Sequence, residues 1–425
     1  MGTGSRDKLV ITGGWKLSGT TGVQGSKNAT LPILGATILT GGECSLLGTP
    51  RITDVEVMLK ILRLLGADVR TFRGELVVDT KGIGSCHIPP NLMREMRSTI
   101  FLMGPLLGRM RKVIISHPGG CAIGNRPIDL HLKALSAMGV EIRDDHGFIV
   151  GTAPRGLSGC DLHLDFPSVG ATENVMMAAV LARGTTVLRN AAKEPEIVDL
   201  QNFLNNTGAR IMGAGTDTIR IEGVDSLSGT KHTVIPDRIV AGTLLIAVAL
   251  AGGKVRLEGI IVEHLEPVIA KLREVGSELT MGDDWVVVEG RRPIRAVESV
   301  RTLPYPGFPT DLQAPMMSLL SYAEGTSIIT ETIFDGRYHH VDELRRMGAQ
   351  IKLDGRTAMM KGVERLSGTA VEATDLRAAA GLVIAGLAAD GITVVEKIHH
   401  LDRGYERLED TLRSLGAKVD RAKAA

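Results

Sequence analysis

At 425 residues, with 44% hydrophobic and 23% charged side chains, the chain is long enough for two or three domains with proper cores. That balance excludes a disordered or collagen-like chain despite 51 glycines. The near-equal 49 basic and 48 acidic residues, with 3% aromatics, exclude a global field for nucleic acid or anionic membrane and a base-stacking platform. Any anion-binding surface must be local.

From the N-terminus, Met1 to Lys8 is polar and carries no apolar signal core. The first apolar stretch, Ala29 to Leu39, follows Ser26-Lys27-Asn28 and is rich in small residues. Similar stretches run from Thr99 to Leu107, Ala171 to Leu181, Ile239 to Leu250, Leu312 to Ala323 and Leu376 to Ala388. Each is apolar nearly all round, which predicts a buried helix. The longest uncharged run, Ile239 to Gly253, is too short to span a bilayer. A cytoplasmic protein is therefore expected, with no membrane partner.

Each stretch precedes a turn and an alternating strand, such as Lys254-Val255-Arg256-Leu257-Glu258, so each sheet is predicted to keep one wet face. A second element keeps step: Gly66, Gly139, Gly208, Gly276, Gly348 and Gly416 each close a helical stretch and precede a strand, 68 to 73 residues apart. These are C′-cap positions. Six repeats with buried helices and outer sheets predict an α/β fold with its helices inside. Small residues at closely packed helices account for the abundance of glycine and alanine.

The predicted helix starts carry charge: Lys27, Arg97, Glu173, Asp237, Asp311 and Asp375. Equivalent positions in stacked repeats are expected to lie near one another at a common cleft. Asp311 and Asp375 read first as N-caps, whereas Lys27 and Arg97 oppose the helix dipole and read equally well as anion ligands.

The segment Pro118 to Pro127, with Cys121 and Arg126, breaks the repeat and is predicted to be a mobile loop. A cysteine beside a cation has a lowered pKa, which makes Cys121 a candidate nucleophile or acid. Cys44, Cys86 and Cys160 read as small buried side chains. No CxxC or Cys/His spacing occurs, so no metal, disulfide framework or cofactor is expected. His131 reads as a helix residue near the loop. The pairs His339-His340 and His399-His400 are expected on strands, pointing opposite ways, as structural or surface residues.

Gly25-Ser26-Lys27-Asn28-Ala29, the Pro118–Pro127 loop, Phe308-Pro309-Thr310-Asp311, Ala373-Thr374-Asp375-Leu376-Arg377 and Asp402-Arg403-Gly404-Tyr405-Glu406 follow in order along the chain. Together they resemble the UDP-N-acetylglucosamine enolpyruvyl transferase family over essentially the whole length. The resemblance implies two inside-out α/β barrels of three repeats of about 70 residues each. One would be discontinuous, residues 1–26 and 236–425, and the other would comprise residues 27–235.

It also implies the reaction: the enolpyruvyl group of phosphoenolpyruvate passes to the 3-hydroxyl of UDP-N-acetylglucosamine and phosphate leaves, opening peptidoglycan precursor synthesis. By the same likeness Cys121 is the general acid, able to form a thioether adduct and open to fosfomycin, and Asp311 is the base. Lys27, Arg126, Arg403 and Arg377 would hold phosphate and carboxylate, with Asn28 and Cys121 lining the phosphoenolpyruvate site. Asn28, Arg97, Arg126, Pro127, Ile128, Asp129, Leu130, Ser168, Val169, Asp311 and Ile333 would contact the nucleotide sugar. Phe166 stands where some members carry lysine, which touches the detail of nucleotide recognition. The alternatives are the shikimate 3-phosphate enolpyruvyl transferase, whose pattern lacks this cysteine loop, and a silent nucleotide-sugar binder. No oligomeric state follows from the sequence.

Overall fold

The computed structural model describes residues 7–117 and 128–423, except the side chain of Arg97. The predicted catalytic loop, with Cys121, Arg126 and Pro127, lies outside these residues. The chain divides into two compact units, one running to Gln24 and resuming at Pro236, the other running from Gly25 to Ile235.

One module recurs within each unit. Asp161–His163 is a short strand, Val169–Ala179 a buried helix, and Thr185–Arg189 a strand parallel to the first. Helix Pro195–Asn206 and the antiparallel hairpin Arg210–Met212 and Thr218–Glu222 then complete a four-stranded sheet. The same order holds from Ser299–Arg301 to Thr357–Lys361. Among the described residues three modules are finished by distant pieces of chain, one of them by Lys231–Thr233 lying parallel to Glu43–Leu47. Leu17–Gly22 lies parallel to Gly253–Glu258, and Asp7–Thr12 lies between Ile392–Glu396 and Lys418–Lys423.

The apolar stretches are the buried helices predicted. In Arg238–Ala251 every residue from Ile239 to Leu250 is buried, and in Leu376–Ala388 every residue from Leu376 to Leu387 is. Backbones approach closely here: a Cβ on Gly104 would stand 2.3 Å from the Asn174 carbonyl oxygen. Only glycine fits such a contact.

The second helix of each module is amphipathic. Thr53–Leu65 buries Val55, Met58, Leu59 and Leu62 and exposes Lys60, Arg63 and Leu64. It stops because Gly66 adopts φ +112°, and the other five repeat glycines do likewise, at φ between +94° and +108°. A side chain there costs roughly 1–2 kcal/mol, because its Cβ crowds the next carbonyl. The strands alternate: Gly253–Glu258 buries Val255 and Leu257 and turns Lys254 and Glu258 outward.

Three local expectations are corrected. Glu173 is not at a helix start; Ser168 caps that helix five residues earlier, leaving Glu173 buried in the second turn. The paired histidines are not on strands. His339 immediately precedes helix His340–Arg346 without a side-chain capping bond, and His399 and His400 lie on a 3-10 helix, Ile398–Arg403, with ring centroids 4.2 Å apart. Third, Cys86 and Cys160 are only partly buried, whereas Cys44 is fully so.

Candidate active site

In the unit completed from Pro236 onward, the sequence Phe308-Pro309-Thr310-Asp311 enters a short 3-10 turn, Thr310–Leu312, that leads into the buried helix Gln313–Leu320. Asp311 makes no capping bond, so its reading as an N-cap fails, whereas Asp375 caps Leu376–Ala388 by accepting from the amides of Arg377 and Ala378. The Asp311 carboxylate instead sits between two guanidiniums. Oδ2 accepts from Nη2 of Arg377 at 2.9 Å, and Oδ1 accepts from Nη2 of Arg337 at 2.7 Å.

Both arginine side chains are 5% exposed, while that of Asp311 keeps 22%, enough for a substrate to reach it. Burial alone would raise the Asp311 carboxyl, but the charges and hydrogen bonds of Arg377 and Arg337 outweigh it and hold the group well below the usual carboxylate range. Arg377 is reinforced in turn: burial opposes its charge, yet Asp311, Tyr405 and Asp237 hold it firmly protonated. Its guanidinium lies 5.6 Å from the centroid of Tyr405, whose hydroxyl pairs with Thr243 Oγ1 at 2.9 Å. Burial, against Asp375, lowers His340 beside this cluster to about 4, with Arg337 and His339 adding to the effect. It is neutral at pH 7.

The loop Asp402-Arg403-Gly404-Tyr405-Glu406 is held from both sides. Arg421 clamps the Asp402 carboxylate with two bonds, at 2.6 and 3.0 Å, and donates from Nε to the buried Glu409. The side-chain amide of Gln24 donates to the Gly404 carbonyl at 3.1 Å and accepts from the Glu406 amide at 2.7 Å. Arg403 closes the 3-10 helix and is partly exposed. Ile333 contributes a backbone amide to Glu331 Oε1 at 2.8 Å.

In the unit running from Gly25, Ser26 caps helix Lys27–Ala36, and Lys27 is its first residue. The Lys27 ammonium faces Asp54 Oδ2 at 2.7 Å, with side chains 10% and 2% exposed. Asn28, next along the helix, is partly exposed. Arg97 opens the 3-10 helix Arg97–Leu102. Ile128 and Asp129 begin helix Asp129–Ala137, Leu130 packs against the core, and Ser168 and Val169 begin Val169–Ala179. Phe166 is 43% exposed. Buried His131 accepts at Nδ1 from the Asn174 amide at 3.0 Å, because Asn174 Oδ1 takes the Gly104 amide; the proton of His131 therefore sits on Nε2.

Sequence reasoning missed Arg337, Asp54 and Glu331. Arg337 follows a Gly-containing turn and gives no periodic signal. Asp54 reads as a first-turn acid of an amphipathic helix, and nothing local reveals its partner. No group of three or more His, Cys, Asp or Glu among the described residues could hold a metal ion. No helix among them is long and apolar enough to cross a membrane.

A profile of the family described as EPSP synthase (3-phosphoshikimate 1-carboxyvinyltransferase) matches residues 11–412. The solved enolpyruvyl transferase NikO from Streptomyces tendae superposes with a TM-score of 0.89 at 27% identity, covering 99% of this chain and 100% of that one. EPSP synthase from Acinetobacter baumannii shares the fold at a TM-score of 0.75 and 17% identity, covering 99% and 100%. The fold is thus that of the enolpyruvyl transferase class.

Sequence relatives narrow this further. UDP-N-acetylglucosamine 1-carboxyvinyltransferase 2 of Carboxydothermus hydrogenoformans is 55% identical over 417 residues, 98% of this chain and 99% of the relative. UDP-N-acetylglucosamine 1-carboxyvinyltransferase 1 of Staphylococcus aureus is 50% identical over 418 residues, again 98% and 99%. The chain belongs to the UDP-N-acetylglucosamine 1-carboxyvinyltransferase family.

Proposed function

We infer that the chain is a transferase that moves the enolpyruvyl group of phosphoenolpyruvate to the 3-hydroxyl of UDP-N-acetylglucosamine, releasing phosphate in the first committed step of peptidoglycan precursor synthesis. The observation that carries this reading is Asp311, reachable yet gripped by two buried arginines, in a chain 55% identical to a relative of that name. The sugar hydroxyl adds to C2 of phosphoenolpyruvate while C3 is protonated, and the tetrahedral intermediate then loses phosphate. This chemistry needs an acid, a base and cations placed to hold a small polyanion.

Cys121 is the acid. Asp311 takes the hydroxyl proton once the polyanion draws Arg377 away from it. Lys27, Arg126, Arg377 and Arg403 hold phosphate and carboxylate, with Asn28 beside them. Arg97, residues 126–130, Ser168, Val169 and Ile333 receive the nucleotide sugar. The two units are inside-out α/β barrels of three modules each, and the protein works in the cytoplasm. The module order, the buried helices and the one-sided sheets support the barrel reading.

The experiment is phosphate release from phosphoenolpyruvate with UDP-N-acetylglucosamine or shikimate 3-phosphate as acceptor. Release with the first and not the second is expected. Release only with shikimate 3-phosphate reverses the acceptor, and none with either leaves a nucleotide-sugar binder. Loss of turnover in Cys121→Ser, with folding intact, tests the acid; full activity at neutral pH would remove that role.

A further inference from the structure

Behind the Asp311 site lies a carboxylate with no solvent exposure at all. Glu331 follows strand Thr326–Thr330, and its two oxygens accept four hydrogen bonds. Oε1 takes the Thr302 hydroxyl at 2.9 Å and the amides of Ile333 and Phe334 at 2.8 and 3.1 Å. Oε2 takes the Thr310 hydroxyl at 2.8 Å.

A hydroxyl has one proton, so Thr310 has only oxygen lone pairs left for other partners. Arg337, which can only donate, fills one of them from Nη1 at 2.8 Å. The other arm of the same guanidinium, Nη2, holds Asp311. The donors therefore run one way, from Arg337 to Thr310 to Glu331, and the direction of the Thr310 proton is imposed by a buried charge.

We propose that Glu331 is a positioning residue for enolpyruvyl transfer, orienting Arg337 against Asp311 through Thr310 while anchoring the turn that presents Ile333. The proposal rests on Asp311 acting as the base. A guanidinium fork fixed at one arm keeps its other arm in register, which a lone flexible arginine does not do. The charges facing this assembly are Arg377 on the far side of Asp311, with Asp237 and Tyr405 behind it, and His340, Asp375 and His339 near Arg337.

The probe is Glu331→Gln. Its amide oxygen can keep Thr302 and the Ile333 and Phe334 amides, so the turn stays anchored. Its NH2 now faces Thr310, reverses that hydroxyl and sets the hydroxyl proton against Arg337 Nη1. The expected result is a folded enzyme by circular dichroism with kcat lower by roughly 10- to 100-fold. The acid limb of kcat/KM moves to higher pH, because Asp311 loses part of the cation that depresses its pKa.

Thr310→Val breaks the same relay without touching the turn and is expected to behave alike, while Thr310→Ser recovers most of the loss. Wild-type kcat and pH profile in folded Glu331→Gln, or in Thr310→Val if the first variant does not fold, overturn the proposal. Asp311→Asn separates it from the reading beneath: an active Asp311→Asn enzyme removes the base, whereas an inactive one beside normal relay variants removes only the relay.

Discussion

Arg377 Nη2 lies 2.9 Å from Asp311 Oδ2 and shares that carboxylate with Arg337. A carboxylate so held is a poor proton acceptor, and an arginine so held is a committed cation. The pair suits the reaction proposed above: an arriving phosphate or carboxylate is expected to compete for Arg377, and an Asp311 so freed would gain basicity toward the sugar hydroxyl.

Arg377→Ala is expected to remove that exchange. Turnover should fall roughly 100- to 1,000-fold, the range for losing one preorganised electrostatic donor. Because Arg377 depresses the Asp311 carboxyl, its removal raises that pKa, so the acid limb of the pH–rate profile moves upward. The stability sign follows from the same linkage. A depressed acid contributes stability that is present above its unfolded pKa of about 3.9 and is lost as pH falls through the folded value. Acid titrations followed by circular dichroism should therefore show the variant losing less of its stability below pH 4 than the wild type does. Equal acid sensitivity would mean that the pairing carries no such linkage.

Lys27 and Asp54 form a second pair that can be taken apart. Both are nearly buried, 2.7 Å apart, so Lys27→Met removes the cation facing a carboxylate with 2% exposure. Breaking such a pair typically costs about 3–5 kcal/mol. Asp54→Asn in the Lys27→Met background should recover most of that stability in a urea titration, since no buried charge is then left facing an apolar chain. Turnover should not return if Lys27 is the phosphate ligand proposed above, since that cation is still missing. Recovery of both would make Lys27 a structural residue only.

The legible part of the chain was its periodicity. Gly66, Gly139, Gly208, Gly276, Gly348 and Gly416 each take a positive φ that marks the end of a helix, and the six apolar stretches are buried because no face of them is polar. Local sequence carries such signals because caps and periods are local physics. Asp311 and Arg377 were singled out by motif, yet their pairing was not, and Arg337 was missed altogether: it lies 26 residues on from Asp311 and Arg377 lies 66 on, and only the packed sheet and helix bring them together. Glu331 was invisible for the same reason, since a lone glutamate after a strand looks like surface until Thr302 and Thr310 close over it. Glu173 misled because its Ala-Thr-Glu resembled a helix start, whereas Ser168 had already capped that helix.

Gln24 is expected to matter despite lying far along the chain from the loop it grips. Its amide both donates to Gly404 and accepts from Glu406, so it fixes the backbone on the C-terminal side of Arg403. Gln24→Ala leaves Arg421 holding Asp402 but frees that side. Two neutral hydrogen bonds at about 1 kcal/mol each correspond to roughly a 10- to 30-fold loss if all of it falls on turnover. KM for phosphoenolpyruvate should rise as well, with KM for the nucleotide sugar little changed. An unaltered phosphoenolpyruvate KM would show that Arg421 alone sets this loop.

Glu173 provides a pH test in the other direction. It is 3% exposed, and burial raises its carboxyl well above the ordinary value, with the charges of Glu196 and Glu194 adding to the rise. The folded state thus holds a proton that the unfolded chain releases above its own pKa of about 4.3. As pH climbs from there toward the raised folded pKa, the native state binds more protons than the unfolded one, and stability must fall. Glu173→Gln keeps the shape and is neutral at every pH, so it escapes this loss. Its Tm should match the wild type near pH 4 and exceed it increasingly as pH climbs above the unfolded value toward the raised folded one. A constant offset across that range would show that Glu173 does not hold the proton.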